Sequence, residues 1–71
     1  MIFNLETEFI PLIQLLKAVR IAQSGGEAQM LVEQGMVKSN GVLETRKRAK
    51  LRDGDIITCG RHEIIVKRKV Q

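Results

Sequence analysis

Apolar residues recur at intervals of three and four along one stretch of the chain: Leu12, Leu15, Leu16 and Val19. On a helical wheel these four fall within an arc of about 100°, while Gln14, Lys17 and Arg20 fall on the polar side. The spacing predicts an amphipathic first helix with Pro11 in its first turn, where a missing N–H removes nothing. Ala28, Leu31 and Val32 predict a second, shorter helix, ended by Gly35 at the position where a C-terminal glycine belongs. Ahead of it, Ser24-Gly25-Gly26-Glu27 reads as a capping box. The Ser24 hydroxyl accepts from the Glu27 N–H, and the Glu27 carboxylate reaches back to the Ser24 N–H. Two helices joined by a tight glycine-containing turn make a helical hairpin. Ile2, Phe3 and Leu5 suit a short N-terminal edge strand, with Phe3 and Phe9 expected in core packing.

After Gly35 the helical period gives way to short extended runs. Met36-Val37-Lys38 and Val42-Leu43 flank Ser39-Asn40-Gly41, and Asn-Gly between strands is a strong hairpin signal. Asp53-Gly54-Asp55 marks a second turn, followed by the β-branched run Ile56-Ile57-Thr58-Cys59. Gly60-Arg61 marks a third turn before His62–Val66, and Lys67-Arg68-Lys69 is expected as the frayed end of the last strand. Residues 44–52 show neither period and are expected to form an irregular loop. The predicted fold is therefore α+β: a short N-terminal strand, a two-helix hairpin and a small, mostly antiparallel sheet, in one domain over residues 1–71.

Composition narrows the function classes. A chain of 71 residues buries only about 60% of its unfolded surface, which leaves little core for an enclosed catalytic cavity. One cysteine permits no intrachain disulfide and suits a reducing compartment such as the cytoplasm. No apolar run has the length of a membrane span, and the N-terminus lacks a signal-peptide pattern. Charge is divided unevenly. Residues 1–37 carry two bases against four acids, whereas residues 38–71 carry ten bases against four acids. Five of those bases fall between Arg46 and Arg52, a density that a merely solvated loop does not need and that suits several phosphates.

The polyanion is expected to be folded RNA. Readers of unpaired bases display aromatic platforms on a sheet, and this chain has neither Trp nor Tyr. A membrane surface fits less well, because the cations sit on a loop without an adjacent exposed apolar helix face. Cys59 and His62 fall short of the three or four ligands of a metal site. Cys59 reads as a small buried hydrophobe, His62 as a polar strand residue, and Asp53 and Asp55 as turn residues. No catalytic residue, metal or cofactor is expected. The alternative function is a protein-interaction adaptor docking on an acidic protein surface.

Three motifs in order carry a family resemblance: Ser24-Gly25-Gly26-Glu27-Ala28, then Gly35-Met36-Val37-Lys38-Ser39-Asn40-Gly41, then Lys50-Leu51-Arg52-Asp53-Gly54-Asp55. They resemble the RNA-binding domain of small-subunit ribosomal protein S-four, the αL motif, which recurs in pseudouridine synthases, a tyrosyl-tRNA synthetase tail and a heat-shock protein. With Glu44-Thr45-Arg46-Lys47-Arg48 and the N-terminal strand, the chain is similar to small stand-alone bacterial members that bind structured RNA or ribosomes. The resemblance implies a binding module without a catalytic domain, a small-molecule substrate or a cofactor, expected to be a monomer. It departs from the family at Pro11 and Ile13, near places where many members carry Arg or Lys and Asp. It departs again at Gly25, where many carry Arg. These departures shift the expected contacts from the first helix toward Lys38, Asn40 and Arg46–Lys50. The expected RNA-binding face comprises Lys17, Arg20, Lys38, Arg46, Lys47, Arg48 and Lys50, with Ser24, Gly25 and Asn40 at its edge.

Overall fold

The computed structural model describes residues 1–68. In chain order it contains β1 (Ile2–Leu5), β2 (Ile10–Pro11), α1 (Leu12–Ala18), α2 (Gly25–Glu33), β3 (Val37–Ser39), β4 (Val42–Leu43), β5 (Lys50–Leu51), β6 (Ile56–Cys59) and β7 (His62–Arg68). Five strands form one sheet in the order β1-β7-β6-β3-β4, and β2 pairs with β5 in a separate two-stranded ladder. All pairings are antiparallel except β1 with β7, where Ile2 lies beside Ile65 and Leu5 beside Arg68. This is the expected α+β arrangement, with the N-terminal strand at a sheet edge.

Strand alternation decides which side of the sheet is covered. Val37, Ile57, Cys59, Ile64 and Val66 are buried on the side that faces the helices, where they join Leu12, Leu15, Leu16, Ala28 and Val32 in one core. Each fully buried Leu, Ile or Val there contributes about 1.5–3 kcal/mol of transfer free energy. The intervening positions Lys38, Glu63 and Lys67 are exposed. Two tight turns set the register. Asn40 and Gly41 both have positive φ, 52° and 82°, the type I′ geometry that matches strand twist. A side chain at Gly41 would be strained in that backbone whatever the space around it.

The helix ends differ from the sequence expectation. Pro11 is the N-cap of α1, not its first helical residue, and offers no capping side chain. The Leu12 N–H instead donates to the Ala49 carbonyl at 2.8 Å, so a distant segment satisfies one of the open donors at the helix start. Helix α1 stops at Ala18, and Arg20 lies beyond it with φ 62°. There the Ile21 N–H reaches Leu16 O and the Arg20 N–H reaches Lys17 O, a Schellman ending with arginine where glycine is usual. Helix α2 ends in the same pattern around Gly35. Of the expected capping box, the Ser24 oxygen accepts from the Glu27 N–H at 3.1 Å. The reciprocal bond from Glu27 is not made.

Two further expectations change. Lys67 and Arg68 are not frayed but belong to β7, beside Asn4 and Leu5. Lys69 lies outside the described residues. The segment over residues 44–52 is not wholly irregular, because Lys50 and Leu51 pair with Pro11 and Ile10.

Candidate functional site

The basic segment is fastened to the fold at both ends and in the middle. The Glu44 N–H donates to Val37 O at 2.9 Å, extending the β3–β4 hairpin by one residue. Ala49 and Leu51 are buried, Ala49 accepts from the start of α1, and Ile10 pairs with Leu51. Between these anchors the Ala49 N–H reaches back to Arg46 O at 3.3 Å, closing a turn with Lys47 and Arg48 at its two central positions. Burying the alanine and the leucine leaves the neighbouring cations outside: Arg46, Arg48, Lys50 and Arg52 are exposed and Lys47 is half-buried. Arg46, Arg48 and Lys50 border one shallow depression with Ala49.

Two of these cations have acidic partners. The Arg46 Nε and Nη2 donate to the two Glu44 carboxylate oxygens, each at 3.2 Å, and the Arg46 backbone N–H donates to Glu44 Oε2 at 3.0 Å. Glu44 is buried, and its carboxyl is held below the usual range chiefly by the Arg46 side chain, against the opposing effect of its burial. Arg46 itself is raised by the same contact. Lys47 Nζ pairs with the Glu33 carboxylate at the last residue of α2, tying the turn to that helix. Arg48, Lys50 and Arg52 have no carboxylate partner among the described residues.

The acids next in sequence hold backbone. Asp53 Oδ1 accepts from the Arg68 N–H at 2.7 Å, and Asp55 Oδ2 from the Arg52 N–H at 2.8 Å. Asn40 is drawn into the same system. Its Oδ1 accepts from the Ile56 N–H at 2.9 Å and its Nδ2 donates to Asp55 Oδ1 at 3.1 Å. The side-chain amide expected at the edge of a ligand face thus fastens the β3–β4 turn to the start of β6.

The other expected residues are spread. Lys17 and Arg20 border a second depression, with Ala22 and Gln23, at the C-terminal end of α1. The basic segment meets the opposite end of that helix, which spans about 10 Å over its seven residues. Lys38 is exposed beside Thr58 and Leu43, on the sheet side away from the core. Ser24 caps α2 and Gly25 is its first residue. The structure therefore brings together Arg46, Lys47, Arg48 and Lys50, and sets Lys17 and Arg20 on a second site and Lys38 on the outer side of the sheet. Cys59 is buried, which pushes its thiol up, and His62 is an exposed strand residue. No cluster of three metal-ligating side chains occurs among the described residues, and no helix there is long and apolar enough to cross a membrane.

One residue escaped the sequence reading. Phe3 is packed against the core as expected, but Phe9 is only half-buried and lies beneath Lys50 and Arg52. Its position follows from the β2–β5 ladder. Ile10 and Leu51 point inward, so their neighbours Phe9, Lys50 and Arg52 point outward together.

A family model described as the S4 domain matches residues 3–67. Two curated relatives are each 35% identical over 57 residues, covering 80% of this chain and 81% of theirs. One, from Escherichia coli (strain K12), is named "Putative RNA-binding protein YbcJ"; the other, from Shigella flexneri, is named "Uncharacterized protein YbcJ".

Proposed function

The chain belongs to the S4 domain family, and from that premise we propose that it is a non-catalytic module that binds structured RNA, ribosomal or transfer-RNA-like, in the cytoplasm as a monomer. The observation that carries this reading is the turn Arg46-Lys47-Arg48-Ala49, continued by Lys50 and anchored to the start of α1, whose outward side chains are nearly all cationic. A turn held at fixed points presents charge at fixed spacing, which suits the repeating phosphates of a folded nucleic acid. Arg48 and Lys50 are the principal contacts in this proposal. Lys47 and Arg46 join them by exchanging or sharing their glutamates, and Lys17, Arg20 and Lys38 extend the contact where the RNA is broad enough. Ser24, Gly25 and Asn40 serve the proposed face by holding the backbone that borders it.

The test is binding of a labelled stem-loop RNA across a salt series. Contact with about four to six phosphates gives a slope of roughly −3 to −5 in log affinity against log salt, a loss of about a hundredfold to a thousandfold between about 50 and 200 mM. The variant Lys47→Ala/Arg48→Ala should flatten the slope by about two with little change in thermal stability. Arg46 is left out of that variant because its loss would unpartner the buried Glu44. Absence of RNA binding by the wild type rejects the proposal. Partner capture that survives ribonuclease points to an acidic protein surface instead.

A further inference from the structure

We propose that Phe9, Lys50 and Arg52 form a two-cation anchor for a single RNA phosphate, in which the aromatic ring holds the two positive groups side by side. The proposal rests on the RNA-binding reading and adds to it a site centred on a side chain outside the expected face. Lys50 Nζ lies 4.9 Å from the centre of the Phe9 ring, and the Arg52 guanidinium carbon lies 5.6 Å from it. Extending the register of β2 with β5 puts Phe9 opposite Arg52 and diagonal to Lys50 on one side of the ladder. The ring's negative face attracts both cations, and this attraction opposes their mutual repulsion.

What marks the cluster as a ligand site is the missing counter-charge. Acids are abundant in the neighbouring sequence: Glu6 and Glu8 precede Phe9, and Asp53 and Asp55 follow Arg52. Yet Asp53 and Asp55 accept from the backbone N–H groups of Arg68 and Arg52, and no carboxylate reaches Lys50 or Arg52 among the described residues. Two exposed cations thus each lie within about 6 Å of the centre of one ring, with no carboxylate partner among the described residues. Arginine offers a planar fork of donors and lysine a compact point charge, a combination that matches the several oxygens of one phosphate. Lys50 also borders the depression shared by Arg46 and Arg48, so a phosphate here continues the proposed backbone track.

The experiment compares Phe9→Leu, Phe9→Trp and Lys50→Gln/Arg52→Gln with the wild type, using the same labelled stem-loop RNA across a salt series. Leucine keeps an apolar side chain and leaves the charge count untouched, so circular dichroism and thermal melting should be close to wild type. Its affinity should fall about fivefold, with the salt slope preserved. Tryptophan, the best partner for a cation, should restore wild-type binding. Lys50→Gln/Arg52→Gln should flatten the slope by roughly one, the contribution of one phosphate, and adding Phe9→Leu to that variant should cost nothing more. In the free protein, proton spectra should show ring-current shifts at the Lys50 and Arg52 side chains that vanish in Phe9→Leu. Wild-type affinity in Phe9→Leu, while the wild type binds RNA with a steep slope, overturns the anchor and leaves the RNA reading intact. A wild type that does not bind the RNA overturns both.

Discussion

Residues 46–52 and 53–55 are neighbours of opposite character. The first stretch carries five cations, and the second is an aspartate on each side of a glycine. Simple charge pairing would join them, and the fold does not. Asp53 and Asp55 accept from backbone N–H groups, and Asp55 also accepts from Asn40. The magnitudes explain the choice. An exposed ion pair is worth about 0–1 kcal/mol, because two long side chains must be immobilised in high dielectric. A carboxylate accepting from a fixed amide gives about 1.5–3 kcal/mol, because its partner is already ordered. The turn acids therefore build the scaffold, and Arg48, Lys50 and Arg52 keep no carboxylate partner among the described residues.

The most severe way to break that division is to remove a scaffold carboxylate. Asp55→Ala leaves the Arg52 N–H and the Asn40 amide without their acceptor. It should cost about 1.5–3 kcal/mol, and in a domain of this size each kcal/mol lowers Tm by about 4–8 °C. Removing a negative charge beside the basic segment should not weaken RNA binding measured well below the new Tm. A variant that melts like the wild type would show that Asp55 acts as a surface charge and not as a structural acceptor.

Glu44 stands between the two classes, since it holds both the backbone and the guanidinium of Arg46. Its carboxyl is lowered in the folded state, so its contribution is present above the unfolded carboxyl range and is lost as pH falls through the lowered value. Glu44→Gln should lower Tm by a few degrees at neutral pH. The gap from wild type should narrow as pH falls below the ordinary carboxyl range and through the lowered value, because a protonated Glu44 resembles the amide. A gap that is constant over this range would assign the effect to packing and remove the ion pair from the account.

The legible parts of this molecule were the local ones. The stripe Leu12, Leu15 and Leu16, the Asn40-Gly41 turn, the buried Cys59 and the Ser24 cap follow from spacing or from the backbone preferences of single residues, and each is found in the structure. The two-residue ladder of β2 with β5 carries no period, and its register depends on contacts forty residues apart in the chain. Without that ladder Phe9 reads as one more apolar residue and Arg52 as one more loop cation. The basic segment was equally visible as charge, but charge does not reveal partners. Only the fold brings Glu33 against Lys47 and sets Lys38 on the side of the sheet away from the helices. Spacing alone puts Arg20 on the polar face of the first helix; it lies past the helix because the backbone turns left-handed there.

The mildest change probes a carboxylate that holds only a side chain. Glu33 pairs with Lys47 across two exposed groups, so Glu33→Gln should alter stability by less than about 0.5 kcal/mol. Its consequence should be seen in binding instead. With the internal anion gone, Lys47 no longer has to leave one partner to reach another, and a nearby negative charge that repels phosphate is removed as well. Affinity for the stem-loop RNA should rise by about twofold at low salt, and the slope should steepen by at most about one. The gain should vanish when Lys47→Gln is present, which separates release of that lysine from a general change in field. Equal gains with and without Lys47 would mean that Glu33 acts only through long-range repulsion. The Lys47 pair would then belong with the scaffold contacts of Asp53 and Asp55, not with the cations held ready for a ligand.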